Sequence, residues 1–125
     1  LVGDVMYDAA LLFAAQARSQ SGILARLKLE AKGYALATVH RAENTDVPGR
    51  LEAILEALGA LARELPVVLP LHPRTRKILA GRALALPEGI RVTEPVGFLD
   101  MVMLEQGARV IATDSGGVQK EAFFY

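Results

Sequence analysis

Four short apolar runs, each leading through a polar turn toward a helix-like pattern, set the tightest limit on how this chain can fold. They are YALATVH (34–40), PVVLPLH (66–72), GIRVTE (89–94) and GARVIAT (107–113). Brief, apolar and partly β-branched, they suit strands buried on both faces. Between the first two, Leu51, Ile54, Leu55, Leu58, Leu61 and Leu65 recur every three or four residues, and Glu52, Glu56 and Arg63 fall on the other side. That is an amphipathic helix. Asp46 is placed to cap it, and Pro48 to occupy its first turn, where a missing N–H costs nothing. Further helices are predicted over 6–18, 22–30, 73–80 and 97–106, with Gly33, Gly81 and Gly107 as stops. Strands alternating with helices predict an α/β fold, a Rossmann-like parallel sheet with right-handed crossovers.

In such a sheet a ligand binds beyond the carboxyl ends of the strands, where strand order reverses. With the order 89–94, 66–72, 34–40, 107–113, the reversal falls between 34–40 and 107–113. The loops that follow those strands, HRAENTD (40–46) and TDSGGVQKE (113–121), then face one another. In the second, Ser115, Gly116 and Gly117 open a helix, so unpaired amides and the positive end of the helix dipole point at the crevice. Glycine lets an oxyanion come close to the backbone, which makes a phosphate seat. The sequence is neither a Walker loop nor G-x-G-x-x-G. The plainer reading is a tight strand-to-helix turn. Glu121, one turn further along, is either an acceptor for vicinal hydroxyls beside that phosphate or a solvated helix residue. His40 can donate to a phosphate oxygen or protonate a leaving group, and Arg41 adds a planar donor fork. Against that stands a loop histidine bonded to a carbonyl, with Arg41 and Glu43 as a surface ion pair.

Composition narrows the partners. The chain has 125 residues, 52% of them hydrophobic, which is one domain's worth of core. Fourteen basic and fourteen acidic side chains cancel and are scattered, so no nucleic-acid footprint is present and any anion site is local. The absence of cysteine removes disulfides and thiolate metal sites and fits a cytoplasmic setting. No apolar stretch approaches the roughly 20 residues needed to cross a bilayer, so no membrane contact is expected. Leu1 in place of an initiator Met, and an end at EAFFY within a predicted helix, point to a fragment.

The stretches VGDVMYDAALL, YALATVHRAENTD, PVVLPLHPRTRK and EPVGFLDMVMLEQGARVIATDSGGVQKEAFF together resemble the non-hydrolysing UDP-N-acetylglucosamine 2-epimerases. The likeness runs over essentially the whole chain, and the pairing of HR-x-EN with D-S-G-G-x-Q-x-E-A is its specific part. It implies one half of a GT-B-type two-domain architecture, with residues 34–125 as the nucleotide-binding domain, truncated at its C-terminus. Residues 1–33 become a helical interdomain segment packed on it. The implied reaction converts UDP-GlcNAc to UDP-ManNAc by eliminating UDP to 2-acetamidoglucal and adding it back, with no cofactor. His40, Ser115, Gly116 and Gly117 match the family positions that hold the diphosphate, and Glu121 matches the ribose-binding glutamate. Arg41, Glu43 and His72 match contacts to a second, activating UDP-GlcNAc. The resemblance also implies a homodimer as the full-length protein, and the acidic groups that move the C2 proton belong to the other domain. The fragment alone is therefore expected to bind UDP weakly and not to turn over.

The match is not complete. Ala42 stands where the family often has a second arginine, and Pro-Arg follows His72 in place of Asn-Pro, which leaves His72 an activator contact or a turn residue. Arg74, Arg76 and Lys77 read as an exposed helix start, and Asp4 and Asp8, near the expected interdomain junction, as residues that cap or solvate the first helix. A GT-B glycosyltransferase or a non-catalytic nucleotide-sugar module would share the phosphate seat but has no reason to carry HR-x-EN. A serine hydrolase built on Ser115 and His40 lacks the glycine that a nucleophile elbow needs at position 113, and has its histidine before its serine.

Overall fold

A computed structural model describes residues 3–125; Leu1 and Val2, where the expected interdomain segment begins, lie outside the described residues. In chain order the elements are α1 (Val5–Gln20), α2 (Ile23–Arg26), β1 (Ala35–Thr38), α3 (Ala42–Thr45), α4 (Arg50–Ala62), β2 (Val67–Pro70), α5 (Pro73–Gly81), β3 (Ile90–Thr93), α6 (Phe98–Gly107), β4 (Val110–Thr113) and α7 (Gly116–Phe124). All three strand pairings are parallel and the sheet order is β3-β2-β1-β4, as the sequence predicts. The reversal therefore falls between β1 and β4, with Thr38 level with Thr113.

Period-two alternation places the core on both faces of the central strands. Ala35, Ala37, Val67, Leu69 and Leu71 pack with Leu51, Leu55 and Leu58 of α4 and Leu79 of α5. Leu36 and Val68 point the other way, to Ile23 of α2 and Leu104 of α6. Each of the valine, leucine and isoleucine side chains among these contributes about 1.5–3 kcal/mol by leaving water. Tyr34 is fully buried, and its hydroxyl donates to the Leu104 carbonyl at 2.6 Å. Burial pushes that phenol well above its ordinary pKa. The strand and α6 pass so closely here that a Cβ on Gly107 would lie 2.6 Å from the Tyr34 hydroxyl. On its outer side α6 receives α1, whose buried Ala10, Ala14 and Ala17 form a small-residue stripe.

Several boundaries differ from the sequence reading. Helix α4 starts at Arg50 behind Gly49, whose φ of +82° and whose N–H bond to the Glu52 carboxylate at 2.9 Å set the entry. Asp46 instead closes the one-turn helix α3 and accepts from Arg74, and Pro48 lies ahead of the cap. The short helix takes up residues 42–45, so four more residues are needed to turn the chain. The predicted helix over 22–30 contracts to α2, because Lys28 adopts the left-handed region (φ +52°). Gly33 consequently lies in a turn, while Gly81 and Gly107 are the last residues inside their helices. Strands β3 and β4 are half-buried rather than covered on both faces, because each is an edge of the described sheet. Asp4 does cap α1, accepting from the Met6 amide at 2.9 Å.

Candidate functional site

The ends of β1 and β4 are joined before any ligand is considered. The Thr38 and Thr113 hydroxyls meet at 2.6 Å, and the Asp114 amide donates to the Thr38 carbonyl at 3.3 Å. Asp114 then reaches across. Its carboxylate accepts from the amides of His40 (3.0 Å) and Arg41 (2.9 Å) and from the Asn44 side-chain amide (3.1 Å), and lies 3.0 Å from His40 Nδ1. Burial opposes ionisation of this carboxyl, but those amide donors and the imidazole outweigh it and hold its pKa below the usual range. An ionised Asp114 fixes a proton on Nδ1 of His40, leaving Nε2 as the nitrogen that faces a ligand.

His72 is held the other way round. It caps α5, its Nδ1 accepting from the Arg74 amide at 3.2 Å, so in the neutral ring the proton sits on Nε2. Both imidazoles border one cleft of about 200 Å3 at the carboxyl ends of the strands, completed by Ser115 and Val118 of the α7 turn and an apolar wall at Val96 and Met101. The first β1 loop histidine and the α7 turn thus share one cavity.

That turn has the character expected of it. Ser115 caps α7, its amide donating to Thr113 Oγ1 at 2.9 Å and its Oγ accepting from the Val118 amide at 3.4 Å. Gly116 and Gly117 are exposed, and their amides have no acceptor among the described residues. Arg41 stands over them: a Cβ at Gly116 would be 3.8 Å from its guanidinium. The same guanidinium is 3.4 Å from Glu43, and both side chains are half-exposed. Two free amides, a helix positive end and a guanidinium make a local anion seat in a chain without net charge. Glu121 does not border the cleft. It lies four residues after Gly117 on one face of α7, about 6 Å along the axis, half-buried, with burial raising its pKa.

Ser115 Oγ makes no bond to His40 among the described residues and is engaged as a cap, which removes the arrangement a serine hydrolase requires. Arg74 and Arg76 are engaged in surface ion pairs with Asp46 and Glu94. Two participants escaped the sequence reading. Asp114 was visible only as part of TDSGG, and its role follows from strand pairing. Glu105, on α6, is 3% exposed, and neither carboxyl oxygen has a partner among the described residues. Burial first, and the nearby Glu121 second, push its pKa up to about 8.

A sequence model of the UDP-N-acetylglucosamine 2-epimerase family matches residues 1–125. The chain belongs to this family. A UDP-2,3-diacetamido-2,3-dideoxy-D-glucuronate 2-epimerase of Pseudomonas aeruginosa is 51% identical over 125 residues, covering 99% of this chain and 33% of that protein. A UDP-N-acetylglucosamine 2-epimerase homolog of Methanococcus maripaludis is 46% identical over 129 residues, covering 98% and 35%. Among solved structures, the Methanocaldococcus jannaschii UDP-GlcNAc 2-epimerase in complex with UDP-GlcNAc and UDP superposes with a TM-score of 0.84 at 36% identity, covering 99% of this chain and 36% of that one. The chain spans about a third of the length of the epimerases it matches.

Proposed function

We propose that this chain is the UDP-binding half of a non-hydrolysing UDP-GlcNAc 2-epimerase. The supporting observation is that His40, fixed by Asp114, lines one cleft with Ser115 and Val118, the residues on either side of the free amides of Gly116 and Gly117. Elimination of UDP across C1–C2 of the sugar puts growing negative charge on the β-phosphate. The seat answers that demand with donors already in place, so little reorganisation is needed as the C–O bond breaks. His40 delivers a proton from Nε2 to the departing diphosphate, and Asp114 stabilises the imidazolium that supplies it. Glu121 accepts from the ribose hydroxyls. UDP then adds back to 2-acetamidoglucal after C2 is reprotonated on the opposite face by groups from the rest of the protein.

In this reading residues 1–33 connect the two halves of a GT-B-type architecture, and 34–125 hold the nucleotide. Arg41, Glu43 and His72 contact a second molecule of the sugar nucleotide; the place of His72 on the cleft wall supports its part. The full-length protein is a cytoplasmic homodimer with no nucleic-acid partner. Among the described residues no helix is long and apolar enough to cross a membrane.

A second substrate reading has a specific basis. The 51% identical Pseudomonas protein is named for a diacetamido uronate, and this half grips the nucleotide rather than the sugar. The same C2 inversion on that sugar would use the same seat. One experiment addresses both: the protein carrying this chain at its relatives' length is incubated in deuterated water with each sugar nucleotide. Deuterium at C2 of one of them is expected. UDP release without deuterium at C2, or no exchange with either, refutes the epimerase reading.

A further inference from the structure

Strand β1 ends at Thr38, and its ladder with β4 ends at the same residue. The next peptide, between Val39 and His40, carries the histidine without the sheet to hold it, and its carbonyl takes no backbone amide among the described residues. Side chains from two other elements hold it instead. On one side the His40 amide donates to the Asp114 carboxylate at 3.0 Å. On the other, the Val39 carbonyl accepts from the Thr75 hydroxyl of α5 at 3.2 Å. Thr75 is 2% exposed, so solvent does not compete for that hydroxyl. The same helix also holds the far end of the loop. Arg74 pairs with the Asp46 carboxylate, and Arg82, just past the end of α5, donates to the Asp46 carbonyl at 2.8 Å. Helix α5 thus grips residues 39 and 46, on either side of the segment that begins with His40.

We propose that Thr75 is a positioning residue for His40: its hydroxyl, opposite Asp114, fixes the plane of the Val39–His40 peptide and so the direction in which the imidazole leaves the backbone. This rests on the proton-delivering role given to His40 above. One hydrogen bond leaves a peptide free to rock about it, whereas two at its opposite ends define its plane. The Cα–Cβ direction of His40 follows that plane. Asp114 holds ring Nδ1 at 3.0 Å, so a tilted peptide takes the ring out of register with the carboxylate and swings Nε2 away from the anion seat. Displacements of about 1 Å suffice to slow a reaction that depends on a placed group. If Thr75 merely satisfied its own buried hydroxyl, its loss would be felt in stability alone.

The test compares wild type with three variants at position 75 in the protein at its relatives' length, read as kcat for deuterium entry at C2 of the sugar nucleotide that wild type inverts. Thr75→Ser keeps the hydroxyl. Thr75→Val, which keeps the shape, and Thr75→Ala both lack it. The two variants without a hydroxyl are expected to lose about tenfold or more in kcat, and Thr75→Ser to recover most of that loss. Thermal melting should not sort the proteins in the same way, since Thr75→Ser and Thr75→Ala both give up a buried methyl group. His40→Ala, run beside them, should lose more than any of them. Equal kcat in wild type and all three variants, or rates that follow melting temperature instead of the hydroxyl, overturn the positioning role and leave the epimerase reading standing. Should His40→Ala keep the wild-type rate, or wild type place no deuterium at C2 of either sugar nucleotide, the role of His40 and this inference fall together.

Discussion

Replacing Glu105 by Gln should stabilise the protein, and by an amount that depends on pH in a calculable way. The folded-state pKa is raised from 4.5 to about 8, chiefly by burial. Between those values the folded state holds a proton that the unfolded chain has released, so stability falls as pH rises through that window. At pH 7 the interval is roughly 2.5 units, and at about 1.4 kcal/mol per unit the cost is on the order of 3 kcal/mol. A Gln has nothing to titrate and escapes it. The variant and the wild type should therefore be nearly equal in stability at pH 4.5 and diverge steadily to pH 8. Near pH 7 the variant should melt about 10 °C higher, since 1 kcal/mol corresponds to roughly 4 °C in a domain of this size. Urea unfolding at several pH values supplies the free energies directly. A difference that stays constant from pH 4.5 to 8 would show that Glu105 is ionised and paired in the folded state, and would refute the reasoning.

Two other outcomes follow from the site. Asp114→Asn should cost about 2 kcal/mol at neutral pH, because a charged acceptor of several amide bonds is lost, and should weaken UDP at least tenfold by freeing the His40 ring. Since the Asp114 pKa is depressed, its stabilising effect is present above the unfolded carboxylate range and disappears as pH falls through the folded value, so the two proteins should converge in acid urea titrations. Gly116→Ala meets only Arg41, at 3.8 Å, and should leave the melting temperature within a few degrees. Its methyl group stands where phosphate must approach, so calorimetry should show UDP affinity falling by about tenfold or more.

The sheet was legible because its signal is additive. Apolar runs such as 34–40 and 66–72 and the stripe from Leu51 to Leu65 each repeat one message over many residues. Strand order and switch point followed. Single-residue events were not legible. The left-handed turn at Lys28 cut a predicted helix short, and Gly49 displaced Asp46 as the start of α4, since competing local conformers differ by less than the tertiary contacts that select them. At the site, the glycine turn and His40 announced themselves through residue type and place. Asp114 did not, because a carboxylate beside a serine reads as turn chemistry until strand register sets it against residues 40–44. Glu105 looked like one more polar residue on a helix; only packing on three sides removed its water.

The pairing of β1 with β4 has a temporal consequence. The hydroxyls of Thr38 and Thr113 that close this seam are 75 positions apart along the chain, and β4 follows β1, β2 and β3 in chain order. The anion seat therefore cannot exist in a nascent chain that has made only β1 through β3. Closing so long a loop is slow and entropically dear, so this seam is the natural late step of assembly. A nucleotide that bridges its two sides would act as a clasp, shifting the balance toward the completed sheet by mass action.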